Sequence, residues 1–135
     1  MIVKDINKGK DYRWSTHTNS LLIDRKDTEG SEVFLTIIEP KNLAPRHIHD
    51  DNEQLYYVME GEGLITYRLL NETTDRQVKI KAGQVVFIPL QTEHQITCLG
   101  EKSLIYLTID VFPKGKPSDE PTWEAHAKKL AANGH

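Results

Sequence analysis

Cysteine is nearly absent, since Cys98 is the only one in 135 residues. A lone thiol cannot close an internal disulfide, so packing and hydrogen bonds have to hold the fold, and a reducing compartment suits the chain. Cys98 itself is read as a small buried hydrophobe, the usual place of a free cysteine. Long apolar runs are missing too. No stretch approaches the ~18 residues that a membrane-spanning helix needs. The opening residues, Met1 to Asp5, bring in an acid where a secretory leader would be apolar. The sequon Asn71-Glu72-Thr73 is therefore read as a polar turn, and the chain is expected in the cytoplasm. Charge of one sign is scarce as well: 17 basic against 20 acidic residues leave a formal charge of -3. Scattered basic residues exclude the clustered basic face of a nucleic-acid binder. There is no internal repeat and no low-complexity segment.

What is present is a train of short β-rich runs separated by turns. Strands are expected at Leu21 to Asp24, Val33 to Glu39, Ala44 to His49, Gln54 to Met59, Gly63 to Leu70, Gln77 to Ile80, Val85 to Ile88, His94 to Cys98 and Ser103 to Phe112. Many short strands at this spacing indicate an all-β sandwich or barrel, and the antiparallel jelly roll is one such solution. The length suits one domain over 1–135, with its core at 33–112. Pro113 to Pro121 is a breaker-rich connector, after which residues 122–133 read as a short C-terminal helix stopped by Asn133-Gly134. Its apolar face, Trp123, Ala127 and Leu130, would pack on the barrel or on a partner subunit, as a plain cap without chemistry.

The chemistry-bearing segment is Pro45-Arg46-His47-Ile48-His49-Asp50-Asp51-Asn52-Glu53-Gln54. Strand alternation points His47 and His49 one way, and Arg46 and Ile48 the other. Two imidazoles on one face can hold a cation if neighbours supply further ligands. The Asp50-Asp51-Asn52 turn would return Glu53 and Gln54 beside them, and His94, after the Pro89 turn, could cross from another strand.

These residues resemble the cupin family. Its first motif runs glycine, five residues, His-x-His, three or four residues, Glu, six residues, Gly. Here His47-x-His49 is followed after four residues by Gln54, and after six more by Gly61. Its second motif runs Gly, five residues, Pro-x-Gly, two residues, His, three residues, Asn. Here Gly83, Pro89-x-Gln91, His94 and Cys98 stand at those places. Lys41 and Gln91 replace two of the motif glycines and Cys98 the terminal asparagine; these departures should affect turn geometry more than metal binding. The glutamate position falls on Gln54 counting back from Gly61, or on Glu53 with the shorter spacing.

The resemblance implies a jelly-roll barrel, usually paired as a homodimer through sheet edges, with strand exchange at the N-terminus covering an exposed edge. It also implies one divalent ion (manganese, iron, nickel, zinc or copper) on His47, His49, His94 and either Gln54 or Glu53. Three histidines and a glutamine leave the ion its full charge. A small anionic organic ligand, such as a carboxylate, uronate or enolate, would then be drawn to it, with isomerase or lyase chemistry by Lewis-acid polarisation. The alternatives are an iron dioxygenase with Glu53 as carboxylate ligand, or a metabolite-binding module that turns nothing over. Tyr56 shares parity with Gln54 and is a candidate cavity residue, whereas Tyr57 lies opposite. Tyr106 is a candidate proton donor if the set Tyr106, Thr108 and Asp110 faces inward. His17, His126 and His135 fall outside the motifs and are expected in solvent.

Overall fold

The computed structural model describes residues 1–135. Alternation governs its strands: in Glu93–Leu99 every second residue, His94, Ile96 and Cys98, is buried, and in Leu104–Val111 the buried set is Leu104, Tyr106, Thr108 and Asp110. This period of two is what a sheet with one face on a core requires. Ten strands result: β1 Lys10–Arg13, β2 Thr18–Ile23, β3 Ser31–Ile38, β4 Leu43–His47, β5 Glu53–Glu60, β6 Glu62–Arg68, β7 Arg76–Lys81, β8 Val85–Ile88, β9 Glu93–Leu99 and β10 Leu104–Val111. They form a six-stranded sheet in the order β1-β2-β3-β10-β5-β8 and a four-stranded sheet in the order β4-β9-β6-β7. All neighbours are antiparallel.

Between the sheets lies a core that includes Ile38, Val58, Ile65, Ile96, Leu104 and Tyr106. A smaller cluster forms where helix α1, Trp123–Ala132, docks through Trp123 and Ala127 onto Leu21 and Phe34. Thr122 caps the helix by accepting from the Ala125 N–H. Asp24 accepts from the Trp123 N–H, so the start of α1 is tied to the barrel. The helix packs on its own barrel, as its apolar spacing allows.

Three features differ from the expected strands. β1 was not anticipated, because Lys10-Asp11-Tyr12-Arg13 is polar and exposed, as suits an edge. The gap expected between Met59 and Gly63 is shorter: β5 runs to Glu60 and β6 starts at Glu62, so Gly61 alone turns the chain, at φ 81°. Thirdly, the Ala44 to His49 strand is interrupted. Ala44 pairs with Ile96 and His47 with His94, so β4 spends three steps where β9 spends two. The extra residue is a β-bulge at Pro45-Arg46, on an edge strand where proline's missing N–H is tolerated. The bulge reverses the parity, which lets Ala44 and His47 both line the interior.

Lys41 and Gln91, which stand where the resembling motifs have glycine, keep positive φ values of 68° and 58°. A side chain in this left-handed region crowds the backbone and costs about 1–2 kcal/mol. Part of that returns as unfolded-state entropy, because glycine leaves the unfolded chain freer. Gln91→Gly is therefore expected to stabilise the protein by about 0.5–1 kcal/mol, read as a higher urea midpoint. A lower midpoint would contradict the strain.

Candidate metal centre

Three strand-end devices bring the histidines together. The bulge turns His47 inward, and the β4–β9 register sets it opposite His94. His49 lies just beyond β4, and its carbonyl accepts from the Gln91 N–H at 2.8 Å, which fastens it to the Pro89 turn. The ring centroids of His47 and His94 are 4.3 Å apart, those of His47 and His49 4.6 Å, and those of His49 and His94 5.4 Å. One ring nitrogen from each lies within 4.8 Å of the others.

The hydrogen bonds decide which nitrogens face inward. His47 Nδ1 is 2.6 Å from the Pro45 carbonyl, and His94 Nδ1 is 2.9 Å from the Thr92 carbonyl. A carbonyl can only accept, so each Nδ1 carries the proton and each Nε2 keeps a lone pair. His94 Nε2 lies 3.1 Å from Gln54 Oε1, itself an acceptor that takes a hydrogen bond from the Tyr56 hydroxyl at 2.7 Å. His49 Nε2 is buried without any partner. The Nε2 lone pairs of His47 and His94 and the Gln54 oxygen thus gather with no proton between them, in surroundings that make an unmatched polar atom costly. A divalent cation resolves this, and three imidazoles with an amide oxygen suit one. Burial, the largest influence on each, pushes His47 down, His49 well down and His94 down to about 3, so all three are neutral near pH 7. Neutral imidazole is the form that ligates.

The six-stranded sheet supplies the other wall. Gln54 Nε2 donates to Asp110 Oδ1 at 2.8 Å. Asp110 stands between Gln54 on β5 and Glu32 on β3 in the strand register. Glu32, fully buried, takes two hydrogen bonds from Arg25, at 2.7 and 2.8 Å. Burial first, then hydrogen bonding to Glu32, raises the Asp110 carboxyl well above its ordinary range. A second polar row runs beside it: Trp14 donates to Asn19, Asn19 donates to Thr36, and Thr36 meets Thr108. Tyr56 and Tyr106 line the same cavity, their rings 4.6 Å apart, and burial raises both phenols. Glu53, one residue from Gln54, is not among the residues that line it. Arg46 points outward to Asp75 and Glu93, and Tyr57 is exposed.

The expectation that His17, His126 and His135 are solvated is corrected. All three line the cavity, together with Leu130. His17 Nε2 is 3.1 Å from His135 Nε2, Trp14 packs edge-on to His135, and His126 Nδ1 meets Glu120 Oε1 at 2.8 Å. Burial lowers His17 and His135 to about 4, with repulsion from His135 and His47 adding to it at His17, and from His47 and His126 at His135. Helix α1 is therefore more than a plain cap, because His126 on it and His135 beyond it line the cavity. Docking of the C-terminal segment brings these two in, His17 comes from the turn before β2, and no spacing within the motifs signals either. The cavity measures about 60 Å³. That is room for a few water-sized groups, at roughly 10–15 Å³ each.

A family model described as "Cupin domain" matches residues 34–110. Uncharacterized protein MJ1618 of Methanocaldococcus jannaschii is 38% identical over 67 residues, 50% of this chain and 49% of that one. The chain thus spans about half the length of this relative. Among solved structures, a predicted oxalate decarboxylase from Thermotoga maritima is similar with a TM-score of 0.70 at 20% identity, over 82% of this chain and 99% of that one. The Drosophila melanogaster CENP-C cupin domain reaches 0.70 at 12% identity, over 80% and 74%. Bacillus subtilis oxalate decarboxylase reaches 0.69 at 19% identity, over 80% and 31%. At these identities the likeness shows the fold alone.

The lowered histidines set the acid stability of the metal-free protein. Unfolded histidine takes up its proton near pH 6.5, whereas His17 and His135 wait until about 4 and His94 until about 3. Across that window the unfolded state binds more protons, so stability falls as pH falls. The urea midpoint is expected to drop steadily between pH 7 and pH 5. A midpoint that is flat over that range would contradict the burial of these rings.

Proposed function

Given that the chain belongs to the cupin family, we propose that it is a metal-dependent protein binding a small organic anion at one divalent ion held by His47, His49, His94 and Gln54. The reaction proposed is proton transfer of the isomerase or lyase type. The observation that carries the reading is charge. None of these four groups is an anion, behind them Arg25 neutralises Glu32, and burial disfavours the ionised form of Asp110. An ion there keeps both positive charges in a site of low dielectric, which draws an anionic ligand. When bound, the ion supplies Lewis-acid polarisation of a carbonyl or hydroxyl. Tyr56 and Tyr106 retain their protons and serve as hydrogen-bond donors in the cavity. The cavity volume favours short carboxylates over a sugar acid. The place of Gln54 also favours this chemistry over an iron dioxygenase, which would want Glu53 as a carboxylate ligand.

A specific observation favours binding without turnover as the second reading. Acid–base catalysis is best served by a group that titrates near the working pH. Here burial carries His17, His47, His49, His94 and His135 down and Tyr56 and Tyr106 up. Recovery of the added acid chemically unchanged would select this reading; a rearranged or cleaved product would select the first.

A second copy of the chain is proposed to cover the outer face of the six-stranded sheet. Leu55, Tyr57, Val85 and Phe87 are 41%, 48%, 79% and 55% exposed. The register aligns them in two rows, Ile109–Leu55–Phe87 and Leu107–Tyr57–Val85. A contiguous apolar face of this kind marks an interface. Apolar side chains are exposed at the N-terminus too, at Met1, Ile2, Val3 and Ile6, ahead of β1, which pairs with its own β2.

Two measurements test these proposals. Small carboxylates titrated into the Co²⁺-loaded protein should perturb its visible spectrum, and His94→Ala should lose the ion while its far-ultraviolet circular dichroism stays β-rich. A spectrum indifferent to organic acids, or full metal content without His94, would contradict the metal reading. Phe87→Asp should turn a sedimenting dimer into a monomer. A wild-type monomer would contradict the paired face.

A further inference from the structure

An amide ligand has a defect that a carboxylate lacks: one of its two ends is a donor. If the Gln54 amide turned over, its NH₂ group would face the three lone pairs and repel a cation. Something has to choose the face, and Asp110 is placed to do so. Its Oδ1 accepts from Gln54 Nε2 at 2.8 Å. An ionised carboxylate can only accept, and a carboxyl whose proton is directed to Glu32 presents a carbonyl-like oxygen to Gln54. In either form the end of Gln54 that faces Asp110 is the NH₂ group, so Oε1 turns toward the histidines. The Tyr56 hydroxyl donates to that same Oε1 at 2.7 Å and reinforces the choice.

Asp110 in turn is held from behind. It is Glu32's neighbour across β10 and β3, and Arg25 grips Glu32 through two parallel hydrogen bonds. Arg25 also donates to the Glu120 carbonyl, which links this row to the segment leading into α1. All four side chains, Arg25, Glu32, Asp110 and Gln54, are buried. Fixing buried groups in one geometry restricts the rotation that would otherwise let an amide sample both faces.

We propose that Asp110 is the positioning residue of the metal centre, fixing the Gln54 amide with Oε1 toward His47, His49 and His94, with Glu32 and Arg25 as its support. The proposal rests on the reading of Gln54 as a ligand. Groups that orient a metal ligand typically alter affinity by about 10–100-fold when removed. Asp110→Leu should weaken Co²⁺ and Zn²⁺ binding by that factor, measured by competition with a chelator, and should change the Co²⁺ absorption spectrum. Asp110→Asn should restore both, because its Oδ1 can accept from Gln54 while its NH₂ group donates to Glu32. In a Gln54→Ala background the Asp110→Leu change should have no further effect.

The outcomes separate the two claims. If Gln54→Ala alone leaves affinity and spectrum unchanged, Gln54 is not a ligand and the underlying reading fails. If Gln54→Ala weakens binding but Asp110→Leu does not, the orienting role is overturned while the ligand remains. A readout on the unsubstituted protein covers the case in which Asp110→Leu does not fold. The Gln54 side-chain NH₂ resonances, identified by their loss in Gln54→Ala, should be slow to exchange with solvent. Exchange as fast as that of a free amide would overturn the proposal.

Discussion

Two backbone carbonyls, those of Pro45 and Thr92, decide what this site can do. Each lies two residues before a histidine and accepts that ring's Nδ1 proton. The tautomer follows, and with it the lone pair that Nε2 turns inward. Neither carbonyl acts alone. The bulge at Pro45-Arg46 must first restore the inward parity of His47, and the β4–β9 register must set His94 against it. Once both rings are locked, their unmatched nitrogens, the orphaned Nε2 of His49 and the Gln54 oxygen form a donor set that a divalent cation would fit.

The opposite sheet solves a different problem. Buried charge is expensive unless paired, and breaking a buried pair costs about 3–5 kcal/mol. Arg25 and Glu32 are paired and buried, and burial raises the Asp110 carboxyl beside them. The row therefore offers directed acceptors behind a paired charge. A polar wall of this kind can orient an amide without lowering the charge of an ion in front of it. Glutamine at this place adds no charge of its own, where glutamate would add one.

Much of this was legible in the sequence. The spacing of His47, His49, Gln54 and His94 points to the residues that converge, whereas alternation puts Tyr106, Thr108 and Asp110 on one face without deciding that it is the inward one. The apolar face of the helix is plain from Trp123 and Ala127. Other features were hidden for physical reasons. A bulge is one extra residue in a register, and register appears only when two strands pair. The positive φ of Lys41 and Gln91 is masked because neither residue advertises it. His126 and His135 reach the cavity by docking of the C-terminal segment, and His17 from the turn before β2; both are tertiary placements with no local periodicity. β1 carries too little apolar alternation to be told from a loop.

The fold itself does not choose the function. Its structural neighbours include oxalate decarboxylases and a CENP-C domain, so the argument for chemistry has to come from the site. The most direct test of that argument is anomalous diffraction from crystals of the protein loaded with zinc. The account predicts one anomalous peak per chain, about 2.0–2.1 Å from Nε2 of His47, His49 and His94, with Gln54 Oε1 beside it. A peak at any other place, or none among these rings, would contradict it.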